Sequence, residues 1–317
     1  MQTSRQQQTA TERTRGNRLG LWFFIASLRV FGLRGAYGLL YPVCLHYAIF
    51  DRALVASATA YITRRFPGCG WMSRRLHVYR LMVSQGKQLI DRYVAIHKPD
   101  LFEIDVDRRD EILSLVRESK HGMILLTSHQ GNWQVAMTAL RNMGKPVHLV
   151  MNPIEQAAVQ SSFYPDQNGE MVKIISPQGY LGGVVEIMSA LRRGDVVSIM
   201  GDRTYGAKAL DVTFFGEAAW FPYSAFSLAA SVHCPVVVLR ATKVSAYRYL
   251  IDVSNVMFPR FQGRRNKAEQ LRPWVQQYAS LLESFASEHP YQSFLFRDVW
   301  KKESDTVTAE PRELMSA

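Results

Sequence analysis

From residue 122 onward, short apolar runs alternate with helix-length segments, and this alternation restricts the possible folds more than any other feature. The apolar runs predict strands over 122–127, 147–151, 196–200, 235–241 and 248–253. The periodic segments between and after them predict helices over 132–142, 179–193, 221–233 and 267–288. Strands alternating with helices of about 10 to 15 residues build sheets covered on both faces. We therefore predict an α/β fold with a mixed sheet flanked by helices.

The chain before this region is divided into a basic segment, an apolar segment and a helical segment. Residues 1–18 are polar and basic, which predicts a flexible tail. Residues 19–50 are apolar but interrupted by Arg29, Arg34 and Pro42. Because an arginine at the bilayer centre costs about 2.5–3.5 kcal/mol, the pattern favours a membrane-associated helical segment near the interface. An ordinary core helical hairpin is the alternative.

The remaining boundaries follow from periodicity and composition. Residues 53–98 have apolar residues at steps of three and four, which predicts helices. We assign residues 51–302 to one α/β domain and residues 303–317 to a disordered tail. The basic N-terminal tail favours a cytoplasmic N-terminus in contact with anionic lipid.

The charge balance indicates an anionic partner. Lysine and arginine number 38 against 27 acidic residues, a formal net charge of +11. Nucleic acid, an acidic membrane surface and an acidic carrier protein all fit that charge. The basic residues are spread along the chain, without a base-reading helix or an aromatic RNA platform, so we predict no nucleic-acid partner.

The cysteines and the serine motifs exclude further classes. Cys44, Cys69 and Cys234 are scattered, which favours neither a disulfide framework nor a zinc site, and we predict no metal and no cofactor. A GxSxG nucleophile elbow is absent from the sequence, which argues against a serine hydrolase.

The segment 122–134, GMILLTSHQGNWQ, is the strongest candidate for chemistry. A strand is predicted to end at Thr127 and a helix to begin near Asn132, a good N-cap residue. His129 is then in the turn at the carboxyl end of a strand, where α/β sheets bind ligands. A histidine there can remove a proton from a hydroxyl, and the amides at the helix start can stabilise an oxyanion. The alternative is a histidine that only caps the turn.

The motif HQGNWQ after an apolar strand resembles the His-x4-Asp/Glu block of glycerolipid acyltransferases. It resembles more closely the His-x-Gly-Asn-Trp-Glu form of the bacterial lipid A late acyltransferases. Other elements of that family match in the same order along residues 20–300. They are RRFP at 64–67, GDRTYG at 201–206, FFG at 214–216, a helix–proline–strand block at 229–238, HPYQ at 289–292 and FR at 296–297.

The resemblance implies an acyltransferase with a glycerolipid-acyltransferase-like fold at the cytoplasmic face of the inner membrane. It implies transfer of a fatty acyl group from acyl carrier protein or acyl-coenzyme A to a hydroxyl or amine of a lipid-like acceptor, as in lipid A or another envelope lipid. His129 would be the general base, amides near Asn132 would bind the oxyanion, and Arg203 would contact a phosphate or carboxylate. From the sequence alone, an Asp–Arg pair such as Asp202 and Arg203 at a strand end is most often a local salt bridge. With the resemblance, both residues and Asn132 become candidates for substrate binding.

Position 134 departs from the family pattern, because Gln134 stands where an acid is expected. Three interpretations follow: Gln134 orients His129, or Asp202 or Glu217 supplies the charge, or the chain is a catalytically degenerate acyl- or carrier-binding partner of another enzyme. A second departure is the lack of an arginine between residue 151 and Arg192, so the contacts to acceptor phosphates are expected to differ.

Overall fold

The computed structural model describes residues 18–139, 144–151, 172–177, 183–204 and 208–300. The predicted flexible tail, apart from Arg18, and the predicted disordered tail 303–317 lie outside these residues.

The described helices are α1 (Arg18–Phe50), α2 (Arg52–Arg65), α3 (Trp71–His97), α4 (Arg109–Glu118), α5 (Trp133–Ala139), α6 (Val184–Arg193), α7 (Ser224–Val232) and α8 (Lys267–Glu288). The described strands are β1 (Glu103–Asp107), β2 (Met123–Thr127), β3 (Val147–Val150), β4 (Val172–Ile175), β5 (Val196–Met200), β6 (Ala209–Phe214), β7 (Glu217–Pro222), β8 (Val236–Lys243) and β9 (Arg248–Met257). Single 3-10 turns occur at Pro99–Leu101 and Pro290–Gln292.

Seven of these strands form one mixed sheet, in the order β1-β9-β8-β2-β5-β3-β4. The five strands from β8 to β4 run parallel, β9 is antiparallel to β8, and β1 is parallel to β9. Strands β6 and β7 form a separate antiparallel hairpin. The predicted α/β fold with a mixed sheet is confirmed.

Helices cover both faces of the sheet, as the burial of β2 shows. Met123 and Leu125 belong to the core cluster that includes residues of α4 and α5. Ile124 and Leu126 belong to the larger cluster, which includes residues of α6, α7 and α8. All five residues of β2 are buried, so a strand with an uninterrupted apolar sequence lies between two helical layers.

The N-terminal helices pack against one another and against this domain. Helix α1 bends at Gly32, whose φ of 67° lies outside the helical region. Beyond the bend, Leu40 packs so closely on α3 that a Cβ at Gly86 would lie 2.7 Å from its Cδ2 atom. Among the described residues, no single helix is both long and apolar enough to cross a membrane. Only Phe24–Phe50 and Arg52–Arg65 together, which are bent by 93° where they meet, reach such a length and composition.

The structure corrects the predicted elements at several points. The predicted helix 221–233 begins only at Ser224, because β7 continues to Pro222 in the hairpin with β6. The predicted helix 179–193 is described from Val184. Four described elements were not predicted individually: β1, α4, β4 and the β6–β7 hairpin.

Candidate active site

Two neighbouring parallel strands bring His129 and Asp202 together. Strands β2 and β5 are in register, with Thr127 opposite Met200 at their carboxyl ends. His129 and Asp202 each lie two residues beyond those ends. The register therefore places both side chains at the same edge of the sheet, which is the edge where α/β proteins bind ligands.

The imidazole of His129 contacts the carboxylate of Asp202 directly. Its Nδ1 atom lies 3.0 Å from both Oδ1 and Oδ2, and the backbone N–H of His129 donates to Oδ2 at 2.8 Å. The Asp202 side chain is fully buried, whereas that of His129 is 18% exposed. A carboxylate acceptor on Nδ1 favours the tautomer with the proton on that nitrogen, so Nε2 is left as the basic atom.

The surroundings of Asp202 keep it ionised. Burial by itself raises the pKa of this carboxyl. The positive charge of protonated His129, its hydrogen bonds and the Arg203 guanidinium outweigh burial and hold the pKa below its ordinary value. The arrangement therefore places a buried, ionised carboxylate against Nδ1 of His129.

The turn after His129 is held by backbone contacts that only glycine permits. Gly131 has a φ of +59°, and a Cβ at this position would lie 1.8 Å from the carbonyl oxygen of Ala241. The N–H groups of Gly131 and Asn132 donate to the carbonyls of Gln292 and Ala241 at 2.7 and 3.0 Å. These two amides are therefore engaged within the protein, and the predicted oxyanion role of amides near Asn132 does not fall on them.

Asn132 caps α5, as predicted. Its Oδ1 accepts from the N–H of Val135 at 3.4 Å, and its Nδ2 donates to the carbonyl of Gln88 at 2.9 Å. Asn132 is buried and thereby connects the site turn to α3. This side chain lines the site but also has a structural role in joining the two elements.

A cavity of about 230 Å³ opens beside His129. One wall is a single face of α3, formed by Gln85, Gln88, Leu89 and Arg92. The other walls are formed by His129, Gly131, Asn132, Trp133, Gln134, Met200, Arg203 and Phe294. The described lining contains two arginines and no carboxylate, so the cavity suits a substrate with a polar, anionic group.

Gln134 does not orient His129 in this structure. Its Oε1 accepts a hydrogen bond from Arg92 Nη1 at 3.2 Å, while Asp202 takes Nδ1 of His129. Glu217, the other acid considered, pairs with Arg64 at 2.7 Å and is half exposed. Of the three sequence-based interpretations, the geometry matches the one in which Asp202 supplies the charge.

A buried polar network positions the α3 wall of the cavity. Asp91 on α3 is fully buried and accepts from the hydroxyls of Tyr37 and Tyr249 and from Lys243 Nζ, the last at 2.5 Å. Burial raises the pKa of Asp91 and lowers that of Lys243, and the attraction between their charges opposes both shifts. The network joins α1, α3, β8 and β9. Its members are far apart along the chain, so no local sequence pattern predicted it.

Within the described residues, no group of three or more histidine, cysteine or acidic side chains is arranged to hold a metal ion. Cys44, Cys69 and Cys234 are free thiols.

No curated protein sequence matches the chain. Among solved structures, it is similar to the 1-acyl-sn-glycerophosphate (LPA) acyltransferase PlsC from Thermotoga maritima, with 12% sequence identity and a TM-score of 0.35 over 81% of this chain and 95% of that one. The family model of the bacterial lipid A biosynthesis acyltransferases matches residues 94–302, which include His129, Asp202 and all seven described strands of the sheet. The chain therefore belongs to the bacterial lipid A biosynthesis acyltransferase family and is an acyltransferase.

Proposed function

We propose that the chain transfers a fatty acyl group from a thioester, carried by acyl carrier protein or coenzyme A, to a hydroxyl or amine of a membrane lipid acceptor. The observation that carries this proposal is the contact between His129 Nδ1 and the buried Asp202 carboxylate beside a cavity. This arrangement gives a general base whose conjugate acid is stabilised by charge.

The reaction needs one base and no covalent enzyme intermediate. Nε2 of His129 accepts the proton of the acceptor group while its oxygen or nitrogen attacks the thioester carbonyl carbon. The tetrahedral intermediate then collapses, the C–S bond breaks, and the departing sulfur takes the proton from the His129 imidazolium. Asp202 stabilises that imidazolium during the two steps, since an ionised partner strengthens the hydrogen bond to Nδ1.

Arg203 and Arg92 contribute positive charge to the cavity. Arg203 follows Asp202 at the end of β5, and Arg92 projects from α3 on the opposite wall. We assign to Arg203 the predicted contact with a phosphate or carboxylate of donor or acceptor, because the guanidinium binds such groups through paired N–H donors. The net charge of +11 also favours docking of an acidic carrier protein or an anionic lipid surface.

The N-terminal helices are the proposed membrane contact, at the cytoplasmic face of the inner membrane. Most exposed large apolar side chains lie on α1 and α3. On α1 they are Val30, Phe31, Tyr41, Leu45, Ile49 and Phe50, and on α3 they are Trp71, Met72, Leu76 and Leu89. Exposed basic residues on α2 and α3 (Arg52, Arg75 and Arg80) accompany them. Apolar groups with basic neighbours are typical of a helical surface that lies in a membrane interface.

Vesicle flotation tests the membrane contact. Leu45→Glu and Ile49→Glu place a charge at positions 49% and 50% exposed, so each variant should fold and float less with anionic vesicles than wild type. Val185→Glu on α6, at a position 53% exposed, is the matched control and should float like wild type. Equal flotation of all four chains contradicts the assignment of α1.

Lipid profiling tests the chemistry. A host lacking this protein is complemented with wild type, His129→Ala or His148→Ala, and its lipids are analysed by mass spectrometry at matched protein levels. Wild type and His148→Ala should restore an acylated lipid, and His129→Ala should not. The lost species identifies the acceptor. Full complementation by His129→Ala would favour instead the interpretation as an acyl-binding partner of another acyltransferase.

A further inference from the structure

Gln88 has a buried carbonyl oxygen with no partner. The side chain lies on α3 and is 5% exposed, and it lines the cavity beside His129. Among the described residues, no donor hydrogen-bonds its Oε1 atom. A buried amide oxygen without a donor costs free energy, so such an atom on a side chain that lines a cavity favours a ligand that donates a hydrogen bond.

The orientation of this amide is fixed by a chain of hydrogen bonds that begins at the backbone. Gln292 Oε1 accepts from the N–H of Lys243 at 2.8 Å, and Gln292 Nε2 donates to the Lys243 carbonyl at 3.0 Å. One main-chain donor and one main-chain acceptor leave only one way for the Gln292 amide to face. Gln88 Nε2 then donates to Gln292 Oε1 at 3.3 Å, which leaves Gln88 Oε1 as the acceptor without a donor.

The backbone of Gln88 is held just as firmly. Its carbonyl accepts from Asn132 Nδ2 at 2.9 Å, which ties it to the turn that carries His129. Asp91, one helical turn along α3, is anchored to Tyr37, Tyr249 and Lys243. Gln88 is therefore a preorganised acceptor in the cavity that His129 also lines. A preorganised group recognises a ligand without the cost of ordering a side chain.

We propose that Gln88 is a specificity-determining residue whose Oε1 accepts a hydrogen bond from an O–H or N–H group on the polar part of a substrate. This inference rests on the proposed function and deepens it. The shared chemistry is a hydrogen-bond donor near the reacting centre. It is present both on a sugar-like acceptor, as a hydroxyl, and on the pantetheine arm of a thioester donor, as an amide N–H. Sites that bind such a group discriminate against analogues that lack it, because the protein acceptor is then left unpaired.

Equilibrium binding to the full chain in detergent micelles, measured by titration calorimetry, tests the proposal. The acceptor probes are an N-acyl glucosamine 1-phosphate and its 4-deoxy and 6-deoxy analogues. The donor probes are S-lauroyl-N-acetylcysteamine and its N-methylated amide. Wild type should bind one parent compound about three- to tenfold more tightly than one of its analogues, the range expected for one neutral hydrogen bond. The analogue that loses affinity shows whether acceptor or donor supplies the group.

Two variants show whether Gln88 causes the discrimination. Gln88→Met keeps the length of the side chain and removes the oxygen, and it should bind the parent and the analogue with affinities within about twofold of each other. Gln85→Met is the matched control, since Gln85 lines the same cavity from the same helix but is partly exposed. It should discriminate like wild type.

Several results would overturn the assignment. The first is that wild type binds every parent compound and its analogue with affinities less than about twofold apart. The second is that no probe binds above the micelle control. The third is that Gln88→Met prefers the parent over the analogue as strongly as wild type does. The first two need no variant, so the proposal is tested even if Gln88→Met does not fold. Binding is measured without acyl transfer. An inactive wild-type chain that still discriminates through Gln88 would therefore refute the proposed function alone.

Discussion

Two histidine–aspartate pairs lie at opposite ends of β5, and they have different surroundings. Asp195 immediately precedes this strand and Asp202 follows it. His148 Nε2 lies 2.9 Å from Asp195 Oδ2, and His129 Nδ1 lies 3.0 Å from both carboxylate oxygens of Asp202. The distances do not distinguish the two pairs.

Their environments do. The His148 side chain is 6% exposed within β3, and its carboxylate partner also accepts from the Arg193 guanidinium at 3.0 Å. The His129 side chain is 18% exposed at the carboxyl edge of the sheet and lines a cavity with two arginines. We therefore expect His129, which lines a cavity, and not His148 to have space for a substrate beside its second ring nitrogen. The same groups at His148 join strands.

Replacing each aspartate by asparagine should separate a role in the reaction from a role in stability. Of the changes considered, Asp202→Asn has the largest expected effect on kcat. Asp202→Asn removes the charge that stabilises the imidazolium, so kcat should fall about 10²- to 10⁴-fold. Asp195→Asn should leave kcat per folded molecule unchanged and lower the free energy of unfolding by about 1–3 kcal/mol, since a buried charge-assisted hydrogen bond is lost. Steady-state acyl transfer and urea denaturation measure the two quantities.

The comparison between these variants is informative in both directions. Folded Asp202→Asn with near-wild-type kcat would show that His129 needs no anionic partner. A large fall in kcat for folded Asp195→Asn would show that both ends of β5 act on the reaction, contrary to the difference in environment between the two pairs.

Much of this edge of the sheet was predictable, because its signals are local. The apolar runs of β2 and β5 predicted both strands within one residue, and the polar residues after β2 indicated the site turn. The partner of His129 was not predictable in the same way. Whether Asp202 or Gln134 meets Nδ1 depends on the adjacency of β2 and β5, which is a property of strand order and not of any local pattern.

The α3 wall was missed for a related reason. Periodicity predicted a helix over this segment but not which of its faces meets the sheet edge. No sequence pattern therefore indicated that Gln88 and Arg92 line the site. Their placement depends on the contacts of Asp91 with α1, β8 and β9, and the partners on β8 and β9 are more than 150 positions from Asp91 in sequence.

Gly122, just before β2, and Gly131, in the turn after it, allow the two ends of the sheet to be compared at the level of the backbone. A Cβ at Gly131 would lie 1.8 Å from the Ala241 carbonyl oxygen, and one at Gly122 would lie 1.7 Å from the Asp195 carbonyl oxygen. Both Gly→Ala variants should lose more than about 1 kcal/mol of stability, because a main-chain atom must move in each case. Gly131→Ala should also lower kcat per folded molecule by about tenfold or more, since it displaces the turn next to His129.

Thermal denaturation and active-site-normalised kinetics check this pair of glycine variants. Gly122→Ala could instead lower kcat as much as Gly131→Ala does at matched folded fraction. That result would contradict the difference between the two ends, because the amino-terminal edge of the sheet would then also position the reacting groups.

Acid should reduce the stabilising contribution of Asp202. Burial raises the pKa of this carboxyl, but the interactions with His129 and Arg203 lower it by more than burial raises it. The pKa in the folded chain therefore lies below the ordinary value of about 3.9. The stabilisation is then fully present above about pH 4 and is lost as the pH falls through the folded pKa. Urea denaturation of wild type and Asp202→Asn should show a stability difference that narrows below about pH 4. A difference that widens on acidification would contradict the assigned direction.

The smallest effect is expected at Gln134, where the sequence departs from its family. Gln134→Glu restores the usual acid, yet Nδ1 of His129 is already taken by Asp202, and Gln134 faces Arg92. The new carboxylate should pair with that guanidinium and change kcat by less than about threefold, since a partly exposed ion pair contributes about 0–1 kcal/mol. Any change should appear in KM for an anionic substrate, because the pairing weakens the positive charge of the cavity. Gln85→Glu is the control: it adds the same charge to the same cavity but at a position other than residue 134, which contacts Arg92. A tenfold or larger gain in kcat for Gln134→Glu only would mean that residue 134 acts on His129 during turnover, and Asp202 would then be a supporting residue.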